Sequence, residues 1–132
     1  MNDVANAEMI EFWNSPTADK WILNQDMMDL SLEPLGQKAM EAAAISAGER
    51  VIDIGCGCGG TSLDLARRVG SAGYILGVDV SKPMLEHART RAAKITDAAS
   101  APAVFELGDA QTHVFEPAAF DLVFSRFGVM FF

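Results

Sequence analysis

The residues Asp53-Ile54-Gly55-Cys56-Gly57-Cys58-Gly59-Gly60 set a carboxylate two positions ahead of a glycine cluster. Glycines let the backbone turn sharply from strand to helix and let a ligand reach the main chain without a Cβ in the way. Two ligand chemistries compete for such a loop. Gly55, Gly57 and Gly60 fit the dinucleotide pattern G-x-G-x-x-G, with Asp79 near the distance expected of a ribose partner. A dinucleotide would bring its pyrophosphate to the helix N-terminus, where Asp53 would repel it. A ligand carrying a sulfonium and an ammonium gains from the same carboxylate. The D-x-G-x-G-x-G order therefore favours a cationic ligand and leaves a nicotinamide-dependent oxidoreductase as the alternative enzyme class.

Other reactive side chains are read more plainly. Cys56 and Cys58 have C-x-C spacing and no third soft ligand nearby, so they are small residues in a crowded turn and no metal site is expected. His87 falls mid-helix and is expected in solvent. His113 follows Gly108-Asp109-Ala110 and could approach a substrate, although a loop histidine is more often structural. Trp13 and Trp21 read as core for N-terminal helices, and Met27, Met28 and Met40 as packing.

The elements that must position these groups change character near Ala47-Gly48. Before that point the pattern is helical: Met9, Ile10, Phe12 and Trp13 share a face, and Ser15-Pro16 breaks it. Trp21, Ile22, Gln25, Met27 and Met28 suggest a second helix, and Glu33 to Ile45 a third. After Gly48, strands and helices alternate. Val51–Ile54, Tyr74–Asp79, Ala103–Leu107 and Phe120–Ser125 are the predicted strands. Thr61–Val69 is a helix, and Ser81 caps another that has Pro83 in its first turn and an apolar stripe of Met84, Leu85, Ala88, Ala92 and Ile95. Alternation implies right-handed crossovers and a parallel, Rossmann-like α/β sheet in the order 3-2-1-4, with ligands at the carboxyl ends of its strands. Residues 1–47 thus read as an N-terminal helical segment and residues 48–132 as the α/β part.

Half of the 132 residues are hydrophobic, enough for a real core, and the net charge is −8. With no basic run longer than Arg67-Arg68, nucleic acid is a disfavoured partner. Met1-Asn2-Asp3-Val4 lacks the basic patch and apolar run of a signal peptide. No stretch approaches the roughly 20 apolar residues of a membrane span. The expected location is cytoplasmic.

Four blocks together resemble the class I S-adenosylmethionine (SAM)-dependent methyltransferase family, in particular small-molecule enzymes of the ubiquinone/menaquinone-biosynthesis type. They are Val51 to Gly59, Gly77-Val78-Asp79-Val80-Ser81-Lys82-Pro83-Met84-Leu85, Gly108-Asp109-Ala110, and Phe120-Asp121-Leu122-Val123-Phe124-Ser125. The resemblance implies SAM as cofactor, S-adenosylhomocysteine as product and a small-molecule methyl acceptor. It also implies that residues 1–47 are a helical cap or lid segment and residues 48–132 the N-terminal half of a SAM-binding Rossmann-like domain, and it implies residue roles. Gly55, Cys56, Gly57 and Gly59 belong to the loop around the methionine part, with Asp53 close to its ammonium. Asp79 accepts from both ribose hydroxyls, Val80 and Met84 flank the adenine, and Asp109 takes its exocyclic amine with the Ala110 N–H near a ring nitrogen. Ser125 or Arg126 offers backbone at the methionine end. Methyl transfer depends mainly on alignment, so no catalytic residue is assigned.

Ser125-Arg126-Phe127-Gly128 stands where methyltransferases acting on amide or adenine nitrogens often carry an Asn/Asp-Pro-Pro-aromatic run, which favours a small acceptor. The family's seven-stranded sheet needs three more strands after Phe132, so a truncated domain is expected. Cofactor binding would persist with weak or absent turnover, and the chain would self-associate through an exposed fourth strand and the hydrophobic residues after it. A non-catalytic SAM-binding partner subunit is the second alternative.

Overall fold

The computed structural model describes residues 5–132; Met1–Val4, read above for a leader, lies outside the described residues. Four short strands, β1 (Arg50–Ile54), β2 (Tyr74–Asp79), β3 (Ala103–Leu107) and β4 (Leu122–Phe124), form one sheet in the order β3-β2-β1-β4. Every pair is parallel, as the strand–helix alternation predicts.

The register explains how the sheet closes against its helices. Val51, Ile75, Ala103 and Leu122 stand in one row, and Asp53, Gly77, Phe105 and Phe124 in another row on the same face. The helices α4 (Gly60–Val69) and α5 (Lys82–Ala93) cross over this face. Val51, Leu65, Val69 and Ile75 are wholly buried there, each contributing about 1.5–3 kcal/mol of apolar burial. Phe105, Leu85, Ala88 and Cys56 form a second cluster under α5. The α5 cap is the one expected: the Ser81 hydroxyl accepts from the Met84 N–H, and Pro83 sits in the first turn.

Three helices precede the sheet: α1 (Ala7–Trp13), α2 (Pro16–Leu23) and α3 (Gln25–Ala42). The boundary between the last two falls at Asn24, not near Glu33. The Asn24 N–H donates to Lys20 and Trp21 carbonyls, its side-chain amide donates to the Lys20 carbonyl, and its own carbonyl accepts from Met28. One residue thus ends one helix and starts the next. Pro34 then lies inside α3, on an exposed stretch where water can satisfy the carbonyl that its missing N–H leaves free. The continuous helix carries Gln25 and Met40, both buried, at opposite ends.

Two further boundaries differ. Strand β4 covers three residues because Asp121 already turns to Arg50, exchanging a backbone bond and a side-chain bond with it, while the Ser125 hydroxyl donates to the Ile54 carbonyl. Helix α5 stops at Ala93, so Ile95 lies beyond it and is 38% exposed. No helix of the described residues is long and apolar enough to cross a membrane.

Candidate functional site

A cavity of about 270 Å3 opens at the carboxyl ends of β1 and β2, between the sheet and the N-terminal helices. Its floor is the glycine loop. Gly55 takes φ +68°, and a Cβ there would lie 2.6 Å from the Gly128 Cα. The crossing backbones therefore require glycine. Ser125 enforces this approach: its hydroxyl donates to the Ile54 carbonyl and accepts from the Gly128 and Val129 N–H groups.

Asp53 and Asp79 both line the cavity, at neighbouring strand ends. Asp79 is well supplied with donors, its Oδ2 accepting from the Gly57 N–H at 2.8 Å and its Oδ1 from the Ser81 N–H at 2.8 Å. Burial raises its pKa, and those backbone donors oppose the rise. Asp53 is 1% exposed and accepts from the Ser62 hydroxyl at 2.6 Å. Burial pushes its carboxyl up to about 7, opposed by Ser62 and Arg126 and reinforced by Asp79. Ionised Asp53 is therefore short of positive partners.

Of the residues singled out in the sequence, Asp53, Gly55, Cys56, Gly57, Asp79, Val80, Met84 and Ala110 are brought together on the cavity wall. Gly59, Asp109 and Ser125 are not among the lining residues. A Cβ at Gly59 would meet Ala88 and Phe105, so that glycine serves helix–sheet packing. Asp109 sits between two lining residues, Gly108 and Ala110; its Oδ1 accepts from Gln111, and its buried Oδ2 has no partner among the described residues. Burial pushes the Cys58 thiol up to about 12 and the Cys56 thiol well above its usual range. His113 faces Glu106 at 3.1 Å and packs on Phe115, away from the cavity wall.

The tryptophans correct the sequence reading, because both line the cavity as well as packing the helices. Trp13 meets Trp21 and Phe131 edge to face, at 5.7 and 5.1 Å between ring centroids. Sequence reasoning also missed Gln25, a buried residue on the same wall whose Oε1 has no partner. Gln25 Nε2 donates to Asp29, which also accepts from Arg91 at 2.7 Å and Arg126 at 3.4 Å. Gln25 and Asp29 have i,i+4 spacing on one helix, but nothing in the sequence links them to Arg91 and Arg126.

Carboxylates at two strand ends and orphaned acceptors at Gln25 and Asp109 make the site rich in acceptors. That suits a cationic ligand with several N–H and O–H donors, and it suits a pyrophosphate poorly. The residues present thus fit SAM.

Comparison with known proteins agrees. The methyltransferase-domain family profile matches residues 51–132. Aklanonic acid methyltransferase DauC of Streptomyces sp. (strain C5) is 36% identical over 98 residues, covering 74% of this chain and 43% of that protein. Demethylmenaquinone methyltransferase of Lactococcus lactis subsp. lactis (strain IL1403) is 30% identical over 129 residues, covering 98% of this chain and 50% of that protein. Shorter matches include enzymes named for methylating 23S rRNA. In fold, the chain resembles magnesium protoporphyrin IX methyltransferase (ChlM) from Synechocystis PCC 6803 with bound SAM, at a TM-score of 0.71 and 20% identity, over 100% of this chain and 67% of that one. The chain spans about half the length of the curated relatives it matches. With the profile covering most of its length and that sheet order behind the glycine loop, the chain belongs to the class I SAM-dependent methyltransferase family.

Proposed function

We propose that this chain carries the SAM site of a methyltransferase acting on a small-molecule acceptor. The observation that carries the reading is a pair of carboxylates, buried Asp53 and half-buried Asp79, facing one cavity with different hydrogen-bond supply. Asp79 keeps lone pairs free for two ribose hydroxyls. Val80 and Met84 form the adenine slot, with the orphaned Asp109 Oδ2 as acceptor for the exocyclic amine and the Ala110 N–H for a ring nitrogen. Gly55, Cys56 and Gly57 lie along the methionine part, while Gly59 and Ser125 hold the loop's shape. Asp53 faces the positive charge, and Arg126, a cation on the same wall, suits the ligand's carboxylate.

SAM, when bound, would supply a methyl group activated by sulfonium: the acceptor would bond to the methyl carbon as the carbon–sulfur bond breaks, its electron pair returning to sulfur to leave S-adenosylhomocysteine. The chain's own part is alignment and exclusion of water. Trp13, Trp21, Met9 and Phe131 wall the cavity with apolar surface, and the helices α1–α3 serve as its cover. No side chain is assigned as acid or base, because alignment can supply most of the rate.

The net charge of −8 and this apolar wall support a small acceptor over RNA. Titration calorimetry should show SAM and S-adenosylhomocysteine binding and NADH failing to bind; NADH binding alone would overturn the reading. Incubating methyl-labelled SAM with total RNA should leave the RNA unlabelled. Labelled RNA would overturn the small-molecule assignment. We further propose self-association along the outer edge of β4, where Val123 is 60% exposed, and through the hydrophobic residues after it, where Met130 is 68% exposed. Sedimentation velocity should show a concentration-dependent dimer, and a monomer at every concentration would count against it.

A further inference from the structure

We infer that Gln25, at the start of α3, binds the α-ammonium of the cofactor's amino-acid end through its side-chain oxygen, and that Asp29 positions it to do so. The inference rests on the SAM reading and adds a residue from outside the matched region. Gln25 is 5% exposed and lines the cavity, yet its Oε1 is a buried acceptor with no hydrogen-bond partner among the described residues. Buried polar atoms in folded proteins nearly always have partners, so an orphan on a cavity wall points to a ligand donor.

The amide's orientation has a physical cause. Gln25 Nε2 lies 2.6 Å from Asp29 Oδ1. An ionised carboxylate can only accept, so the nitrogen must face Asp29 and the oxygen must face away from it. Asp29 is itself fixed by Arg91 at 2.7 Å and Arg126 at 3.4 Å. Arg91 also donates to the Cys58 carbonyl at 2.9 Å, tying the assembly to the glycine loop. A Cβ on Gly60 would come within 2.5 Å of Asp29 Oδ1, so α3 lies directly on the first turn of α4.

This location selects one end of the ligand. Gln25 belongs with Gly60, Arg126 and Asp53, whereas Asp79, Val80 and Ala110 form the other end of the wall. The donor nearest the first group is the ammonium, which carries three N–H bonds. Asp53 takes one and Gln25 Oε1 another. Asp29 does not touch the ligand and acts by holding the amide the right way round.

The test compares three ligands on the full chain by calorimetry: S-adenosylhomocysteine, its analogue lacking the amino group, and 5′-methylthioadenosine, which lacks the whole amino-acid end. Gln25→Met keeps the side chain's length and removes the acceptor. It should weaken S-adenosylhomocysteine binding about tenfold, as expected for one hydrogen bond to a charged group, while binding of the other two ligands stays within about twofold. Asp29→Asn, which frees the amide to turn, should shrink the same preference for the amino group by a smaller factor. Equal weakening of all three ligands in both variants would mean that Gln25 only supports the fold, and would overturn the inference. So would an unchanged preference for the amino group in either variant that remains folded by circular dichroism. If the wild-type chain bound none of the three, the SAM reading itself would fail, which is a different result from wild-type binding with no Gln25 effect.

Discussion

Asp53 and Asp79 lie near the carboxyl ends of adjacent strands, two register positions apart, and line the same cavity, yet their hydrogen-bond supply differs. Asp79 has two N–H donors at 2.8 Å, so the protein itself offsets part of the burial penalty on its charge before any ligand arrives. Asp53 has one hydroxyl, and burial moves its carboxyl up to about 7. The first end of the cavity is pre-organised, and the second is completed by what binds there. A site can thus keep neutral contacts rigid while leaving one charge to be balanced by its cation.

The sharpest way to break this comparison is Asp53→Asn. SAM affinity at pH 8 should fall by at least about tenfold, the scale of a charge-assisted contact. Stability should move the other way. The folded pKa of Asp53 lies above its unfolded value, so the folded state holds the proton more tightly. Its favourable contribution is complete below about pH 4 and is lost as pH rises through about 7. That shift corresponds to at most about 4 kcal/mol. Urea denaturation at pH 5 and pH 8 should show wild-type stability falling across the interval and the Asp53→Asn variant falling less. SAM affinity in the wild type should rise over the same interval, because the cation needs the ionised form.

Asp79→Asn tests the pre-organised end. The amide keeps one acceptor oxygen for two loop donors, so thermal unfolding should register a loss of roughly 1–3 kcal/mol, and S-adenosylhomocysteine binding should weaken at all pH values alike. Gly55→Ala addresses the shared floor. With φ at +68° and the Gly128 Cα in the way, roughly 1–3 kcal/mol of stability should be lost without any pH dependence. The smallest effect concerns the loop thiols: at pH 8 a disulfide reagent should modify Cys56 and Cys58 only as fast as the chain opens, because both are buried and pushed up.

The pre-organised end was the legible one. Val51–Ile54 and Tyr74–Asp79 are short β-branched or aromatic runs that end at glycines or an acid, and such local grammar carries the sheet order and the place of both carboxylates. Asn24 hid the helix boundary: an asparagine with no neighbouring turn signal divides two helices, and the second of them runs on through Pro34. Trp13 and Trp21 pack and line at once, which composition cannot separate. Gln25 and Asp29 sit at helical i,i+4 spacing, but their role stayed hidden because Asp29's partners Arg91 and Arg126 are fixed by tertiary geometry alone.

The Asp29 ion pairs also bear on how the chain assembles. Their partners lie 62 and 97 positions downstream in the chain, so bringing them together requires closing very long loops, and such contacts form late. The glycine loop can take shape as soon as the first two strands pair, but the wall that bears Gln25 waits for β4 to dock. Ligand capture and the last step of folding would then share the same contacts, and a bound adenosyl ligand should slow unfolding more than it speeds refolding.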